Sequence, residues 1–102
     1  MYGKYAIVLK SPMGPKKGFL YLDQQSSTVE GILECLGKRH LFSGTLSQDG
    51  KLLAQGILKA PLGEEPFMLL GNIQEKILTA RLQRKNQEYE LMGTEVDENR
   101  LK

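Results

Sequence analysis

The segment Val8-Leu9-Lys10-Ser11-Pro12-Met13-Gly14 returns 49 residues later as Ile57-Leu58-Lys59-Ala60-Pro61-Leu62-Gly63, and Ser43-Gly44-Thr45 returns at the same offset as Met92-Gly93-Thr94. Two matches in one ungapped register indicate a duplicated half, and a repeat constrains architecture more firmly than any single propensity. The chain has 102 residues, and a chain of that size forms one domain that buries roughly two-thirds of its unfolded surface. The expectation is therefore a single domain over 1–97, made of repeats at about 5–47 and 54–96, with 98–102 as a flexible tail that has little to bury.

Short runs of β-branched, leucine and aromatic residues are separated by glycine, proline, asparagine or aspartate about every eight to twelve residues, the pattern of an all-β domain. No segment sustains a helical period. The runs predict eight strands at 4–10, 17–23, 28–35, 39–47, 52–59, 66–73, 77–83 and 87–96, joined by connections short enough to be hairpins. Successive strands should then pair antiparallel.

The two copies also separate inner from outer face, because facing alternates along a strand and should be shared between copies. Val29, Gly31, Leu33 and Cys35 share one face with their copies Leu78, Ala80 and Leu82; Tyr5, Ile7 and Leu9 match Ala54, Gly56 and Leu58. His40, Phe42 and Gly44 match Tyr89, Leu91 and Gly93. In the second strand both faces are apolar: Gly18, Leu20 and Leu22 point in, Phe19 and Tyr21 out, with Met68 and Leu70 as the outer residues of the copy. Glycines at 18, 31, 44, 56, 71 and 93 all fall inward, often opposite a large residue in the other copy. Inward glycines mark sharp bends of a sheet that curls on itself. They favour an eight-stranded up-and-down barrel with an approximate internal twofold, with a two-sheet β-sandwich as the alternative. Ile7, Leu9, Leu20, Leu22, Leu33, Phe42, Leu58, Phe67, Leu69, Leu82 and Leu91 would fill its interior, although eight strands can also enclose a ligand.

The Ser11-Pro12-Met13-Gly14 turn followed by a glycine-started strand resembles a group of small bacterial β-barrel proteins with repeated [ST]-P-M-G hairpin turns. The resemblance covers most of the chain, although the second copy departs from it at Ala60-Pro61-Leu62-Gly63. It implies the barrel fold and carries over no functional residue.

A net charge of +2 does not by itself specify nucleic acid or an anionic membrane. The distribution is uneven, with seven basic and four acidic residues in 1–51 against seven and eight in 52–102. In a meander, the loops after strands one, three, five and seven share one end. That end gathers Lys16, Lys17, Lys38, Arg39, Arg84 and Lys85, with Lys10 and Lys59 at strand ends and Glu64, Glu65 and Glu88 as acidic exceptions, whereas the opposite end gathers Asp23, Asp49, Glu75, Glu95, Asp97 and Glu98, with Lys51 and Lys76. A basic rim over a barrel mouth can attract a small anionic ligand. His40 and Tyr89 would lie beneath it, either orienting that ligand or closing the mouth with one hydrogen bond each. Against the ligand reading stands the ordinary solvation of lysines at hairpin tips.

Catalysis finds little support. One histidine and one cysteine cannot make a histidine-rich or thiolate metal site, and no cofactor motif is present. A Cys35–His40 dyad would join two ends of one hairpin, with the thiol at an inward apolar position where thiols are usually inert. Phe19 and Tyr21 beside Lys17 offer an aromatic, basic face of the kind that stacks on nucleic-acid bases. Their copies Met68 and Leu70 turn that reading toward an apolar stripe for self-association, most simply as a homodimer. With no secretory leader, no membrane-length apolar stretch and a single cysteine, a cytoplasmic setting is expected. The leading expectation is a non-enzymatic barrel that binds a small molecule or a protein partner.

Overall fold

The computed structural model describes residues 2–35, 37–60 and 63–96. Eight antiparallel strands follow in chain order: β1 (Tyr2–Ser11), β2 (Gly14–Gln25), β3 (Thr28–Cys35), β4 (Lys38–Leu46), β5 (Lys51–Ala60), β6 (Gly63–Gln74), β7 (Ile77–Arg84) and β8 (Gln87–Glu95). Each pairs with the next and β8 returns to β1, so the sheet is a closed barrel and not a two-sheet sandwich. Among the described residues each strand has a paired neighbour on both sides. Leu36, the Pro61-Leu62 tip and the 98–102 tail lie outside the described residues.

The strands start earlier than the sequence pattern predicts at β2 and β6, because the hairpin tips are tighter than their proline content suggests. Pro15 already faces Lys10 and Ser11 faces Gly14. Only Pro12 and Met13 form the turn, closed by a 2.6 Å hydrogen bond from the Ser11 hydroxyl to the Gly14 carbonyl. Gly14 sits at φ 106°, a region in which a side chain is strained.

Facing follows the alternation read from the sequence. Leu20, Leu33, Leu69, Leu78, Leu82 and Leu91 are fully buried along with Phe67. Each such side chain is worth about 1.5–3 kcal/mol relative to exposure. The interior is filled, and inward residues alternate large and small along cross-strand rows. Gly31 faces Phe42, which faces Gly56, which faces Phe67. The Phe42 ring lies against Gly31 and the Phe67 ring against Gly56, so close that a Cβ at Gly31 would stand 2.4 Å from Phe42 Cζ and one at Gly56 2.8 Å from Phe67 Cε1. An aromatic ring laid over a cross-strand glycine covers the gap left by the missing side chain.

Pairing registers recur at the 49-residue offset. Tyr5 faces Leu20 as Ala54 faces Leu69, and Leu33 faces His40 as Leu82 faces Tyr89. Even the bond from the Leu46 amide to the Ser27 carbonyl (2.9 Å) returns as Glu95 to Lys76 (2.8 Å). The two seams between the halves differ. Phe42 faces Gly56 across β4–β5, so a matching β8–β1 seam would set Leu91 against Ile7; instead Leu91 faces Leu9 and Gly93 faces Ile7. This slip of two residues keeps every side chain on its own face. A path across the ladders from Tyr2 runs through Asp23, Glu30, Ser43, Gln55, Met68 and Gln83 to Glu88. Because Lys10 faces Glu90, Glu88 stands level with Pro12, and the path regains β1 ten residues along. Such a stagger goes with strongly tilted strands, about 35–45° from the barrel axis.

Candidate functional site

Outward residues of β2 to β5 form three cross-strand rows. The middle row is apolar: Tyr21 faces Ile32 and Ile32 faces Leu41, with Ile57 next on β5. On one side lie Asp23, Glu30, Ser43 and Gln55, which face one another in that order. On the other side are Phe19, Glu34 and Arg39, continued by Lys59 and Glu64, themselves a facing pair. Above these rows the outer surface sinks into an open groove of about 850 Å³ whose floor includes Gly31 and Gly56. Without side chains, β3 and β5 approach their neighbours closely at these two glycines, and the outside of the sheet dips there. Leu41 is 64% exposed and Ile57 44% exposed in the groove.

A smaller depression of about 420 Å³ lies over β6, β7 and β8, lined by Leu70, Gly71, Asn72, Thr79, Ala80, Arg81, Glu90, Leu91 and Met92. Every one of these residues stands 49 positions after a residue of the larger groove. The chemistry has changed between them. Arg81 and Glu90 face each other where the first groove has Ile32 and Leu41, and they are tied into ion pairs, Arg81 to Glu88 at 3.5 Å and Glu90 to Lys10 at 3.4 Å.

The basic end divides by facing. Lys16 and Lys38 share the inward parity of Leu20 and His40 and stand at the mouth, whereas Lys17 and Arg39 point outward. Arg39 Nε lies 3.3 Å from Glu34 on the outside. Arg84 is paired with Glu65 at the mouth, and that contact raises its pKa further. Tyr89 is half-buried and donates its hydroxyl proton to Gln87. It lies four strands away from His40, so the two groups face each other across the barrel and not side by side.

His40 is fully buried. The β4–β5 register covers Phe42–Leu46 with Leu52–Gly56, and past it the Lys59 amide donates to His40 Nδ1 at 3.1 Å. Nδ1 accepts, so Nε2 carries the proton, and it is buried without a hydrogen-bond partner of good geometry. Burial pushes the imidazole pKa below its ordinary value, the Cys35 main chain opposes this, and Lys38 and Lys59 add to it. A neutral imidazole thus serves as a main-chain acceptor at a seam. The Cys35 thiol is buried and pushed up to about 11 by burial, which keeps it a thiol at neutral pH. Among the described residues no three His, Cys, Asp or Glu side chains are grouped to hold a metal.

Of the outer aromatic and apolar residues singled out in the sequence, Phe19 and Tyr21 lie on β2, and Met68 and Leu70 on β6, four strands around the barrel. They form two separate surfaces. Lys4 Nζ stands 4.6 Å from the Phe19 ring centroid and 5.6 Å from that of Tyr21. Only Tyr21 belongs to the larger groove. Its other apolar residues, Ile32, Leu41 and Ile57, were overlooked in the sequence. Their signal was present as apolar residues at outward positions, two of which have a charged residue 49 positions on, Arg81 for Ile32 and Glu90 for Leu41.

The chain is a small closed β-barrel with a buried apolar core and a concave depression on its outer face over β2–β5. No family model, curated protein or solved structure matches the chain.

Proposed function

We propose that this protein is a non-enzymatic binding barrel, built by internal duplication, whose recognition surface is the outer groove over β2–β5. One observation carries the reading: the same strand geometry occurs twice, and one occurrence is large and apolar while the other is half the size and lined by Arg81, Glu90 and their ion pairs. A concavity of 300–1,000 Å³ with an apolar floor and a few convergent charges is the usual form of a binding site. Here the charges are Arg39, Lys59 and Glu64 on one side and Asp23 and Glu30 on the other. Charged residues on the outer face of strand after strand, among them Lys10, Lys17, Glu34, Lys59 and Arg81, suit an aqueous exterior such as the cytoplasm.

The test uses anilinonaphthalene sulfonate, whose fused rings suit the apolar row and whose sulfonate suits Arg39 and Lys59. It is titrated into protein dilute enough to be monomeric by sedimentation. Amide signals of Ile32, Leu41 and Gly56 should shift, and replacing Ile32 by Arg together with Leu41 by Glu should abolish the shifts. Shifts confined to other strands would overturn the groove as the site. A second reading, a small anion at the mouth, is favoured by the inward Lys16 and Lys38 above the unpartnered His40 Nε2. Titration with inorganic phosphate tests it. It predicts salt-sensitive shifts at these three residues, and their absence would remove it.

A further inference from the structure

The occupant that best fits this groove is a second copy of the same chain. We infer that two copies pack their β2–β5 outer faces together about a twofold axis that lies in the interface, parallel to the strands and between β3 and β4. This rests on reading the groove as the recognition surface.

Shape supplies the first reason. A twisted sheet rotated about one of its own strand directions presents the same twist to itself, which is how sheets stack in aligned face-to-face packing. Such a contact is isologous, so each residue on β3 meets one on β4 of the second copy and is met in return.

Charge supplies the second. Within one chain Ile32 faces Leu41 and Glu34 faces Arg39. The twofold rotation sets Ile32 against Leu41 of the second copy and Tyr21 against its Ile57, which covers the two most exposed apolar groups of the groove. Glu34 meets Arg39 of the second copy, and with the intrachain pair at 3.3 Å the four groups form a ring of alternating sign. Glu30 meets Ser43 and Asp23 meets Gln55, so no like charges are brought together. A shift of this pairing by one strand would set Glu30 and Glu34 against their own symmetry mates in one direction and Arg39 against its own in the other, which favours the axis between β3 and β4.

The third reason is internal. At the positions 49 residues on from Ile32 and Leu41, the fold carries Arg81 and Glu90, facing each other across β7 and β8. That face is solvated by its own ion pairs. Of the two faces related by the 49-residue offset, the β2–β5 face keeps the apolar row that a partner would cover.

The second copy also supplies the control. The variant I32R with L41E installs on β3 and β4 the pair that β7 and β8 already accommodate, so the barrel should stay folded by circular dichroism. Sedimentation velocity over a wide concentration range should show twice the chain mass for the parent and the single-chain mass for the variant. If the double variant is unstable, Leu41→Ser, which removes the most exposed contact without adding charge, should weaken association at least tenfold. A parent that remains a monomer at the highest concentration, or variants that dimerise like the parent, would overturn the dimer. In that event the probe titration separates the two readings. A monomer whose groove still takes the probe leaves the recognition surface standing, and one that takes none removes both.

Discussion

Replacing Gly31 by alanine should be among the most damaging single-methyl changes in this protein. A Cβ at that position would stand 2.2 Å from the Tyr21 carbonyl oxygen, 2.4 Å from Phe42 Cζ and 2.8 Å from Phe42 Cε1. Favourable carbon contacts lie near 3.5–4.0 Å, so the methyl is more than about 1 Å too close on two sides. Neither neighbour yields easily: the carbonyl belongs to a strand held in the β2–β3 ladder, and the Phe42 ring is packed in the core. Overpacking a core costs about 1–3 kcal/mol, and a clash with both main chain and ring belongs at the upper end, about 3 kcal/mol. The roughly 0.4–1 kcal/mol gained from a stiffer unfolded chain does not offset it. At about 4–8 °C per kcal/mol for a domain near this size, Tm should fall by at least roughly 10 °C. The copy identifies what relieves the clash, since Ala80 stands there facing Leu91 in place of Phe42. In a Phe42→Leu background the cost of Gly31→Ala should therefore shrink by about 1 kcal/mol, a coupling that urea unfolding of the four-member cycle can resolve. A Gly31→Ala protein within about 0.5 kcal/mol of its parent, or an equal cost in both backgrounds, would refute the close-approach account of the groove floor.

The remaining predictions concern a seam and a turn. His40 has a native pKa below its ordinary 6.5, so the unfolded chain takes up the proton first. Its contribution should be complete above pH 6.5 and decline as pH falls through the lower native value. Urea midpoints measured through that window should drop for the parent and stay nearly flat for His40→Leu, and equal slopes would show that another group is responsible. In the β6–β7 hairpin, Glu75 at φ 51° and Lys76 at φ 76° stand between the facing residues Gln74 and Ile77. Both dihedrals are positive, as a two-residue type I′ turn requires and as Asn-Gly adopts most readily. Glu75→Asn with Lys76→Gly should gain about 1 kcal/mol in thermal unfolding, since left-handed backbone costs an ordinary residue about that much. A loss of stability would show that the native side chains contribute contacts outweighing the strain.

Much of the fold could be read from residue order because the side-chain period of a strand is two and the similar residues 49 positions apart reduced the ambiguity of facing. Val29-Gly31-Leu33-Cys35 and Leu78-Ala80-Leu82 needed only that alternation to be placed inward, and all seven face the core side of their strands. The groove was harder to see. Ile32, Leu41 and Ile57 are unremarkable one at a time and become a row only when three pairings are known together. The dip beneath them comes from main-chain approach at Gly31 and Gly56 and leaves no direct trace in composition. The basic end divides between inner and outer faces for a related reason. Lys16 and Lys17 are consecutive, as are Lys38 and Arg39, so one of each pair had to point away.

The two-residue slip at the β8–β1 seam sets the girth of the barrel. Stagger and diameter rise together at fixed strand number. A closed sheet made from two identical copies of the first half would repeat the β4–β5 seam on both sides and regain β1 two residues sooner. It would be a slimmer cylinder with more upright strands, and with Ile7 and Gly18 repeated where Gly56 and Phe67 now stand, Phe42 would face isoleucine and no longer glycine. The second half is therefore a fitted counterpart and not a spare, and a chimera carrying the first half twice should have to trim its inward rings before it can close.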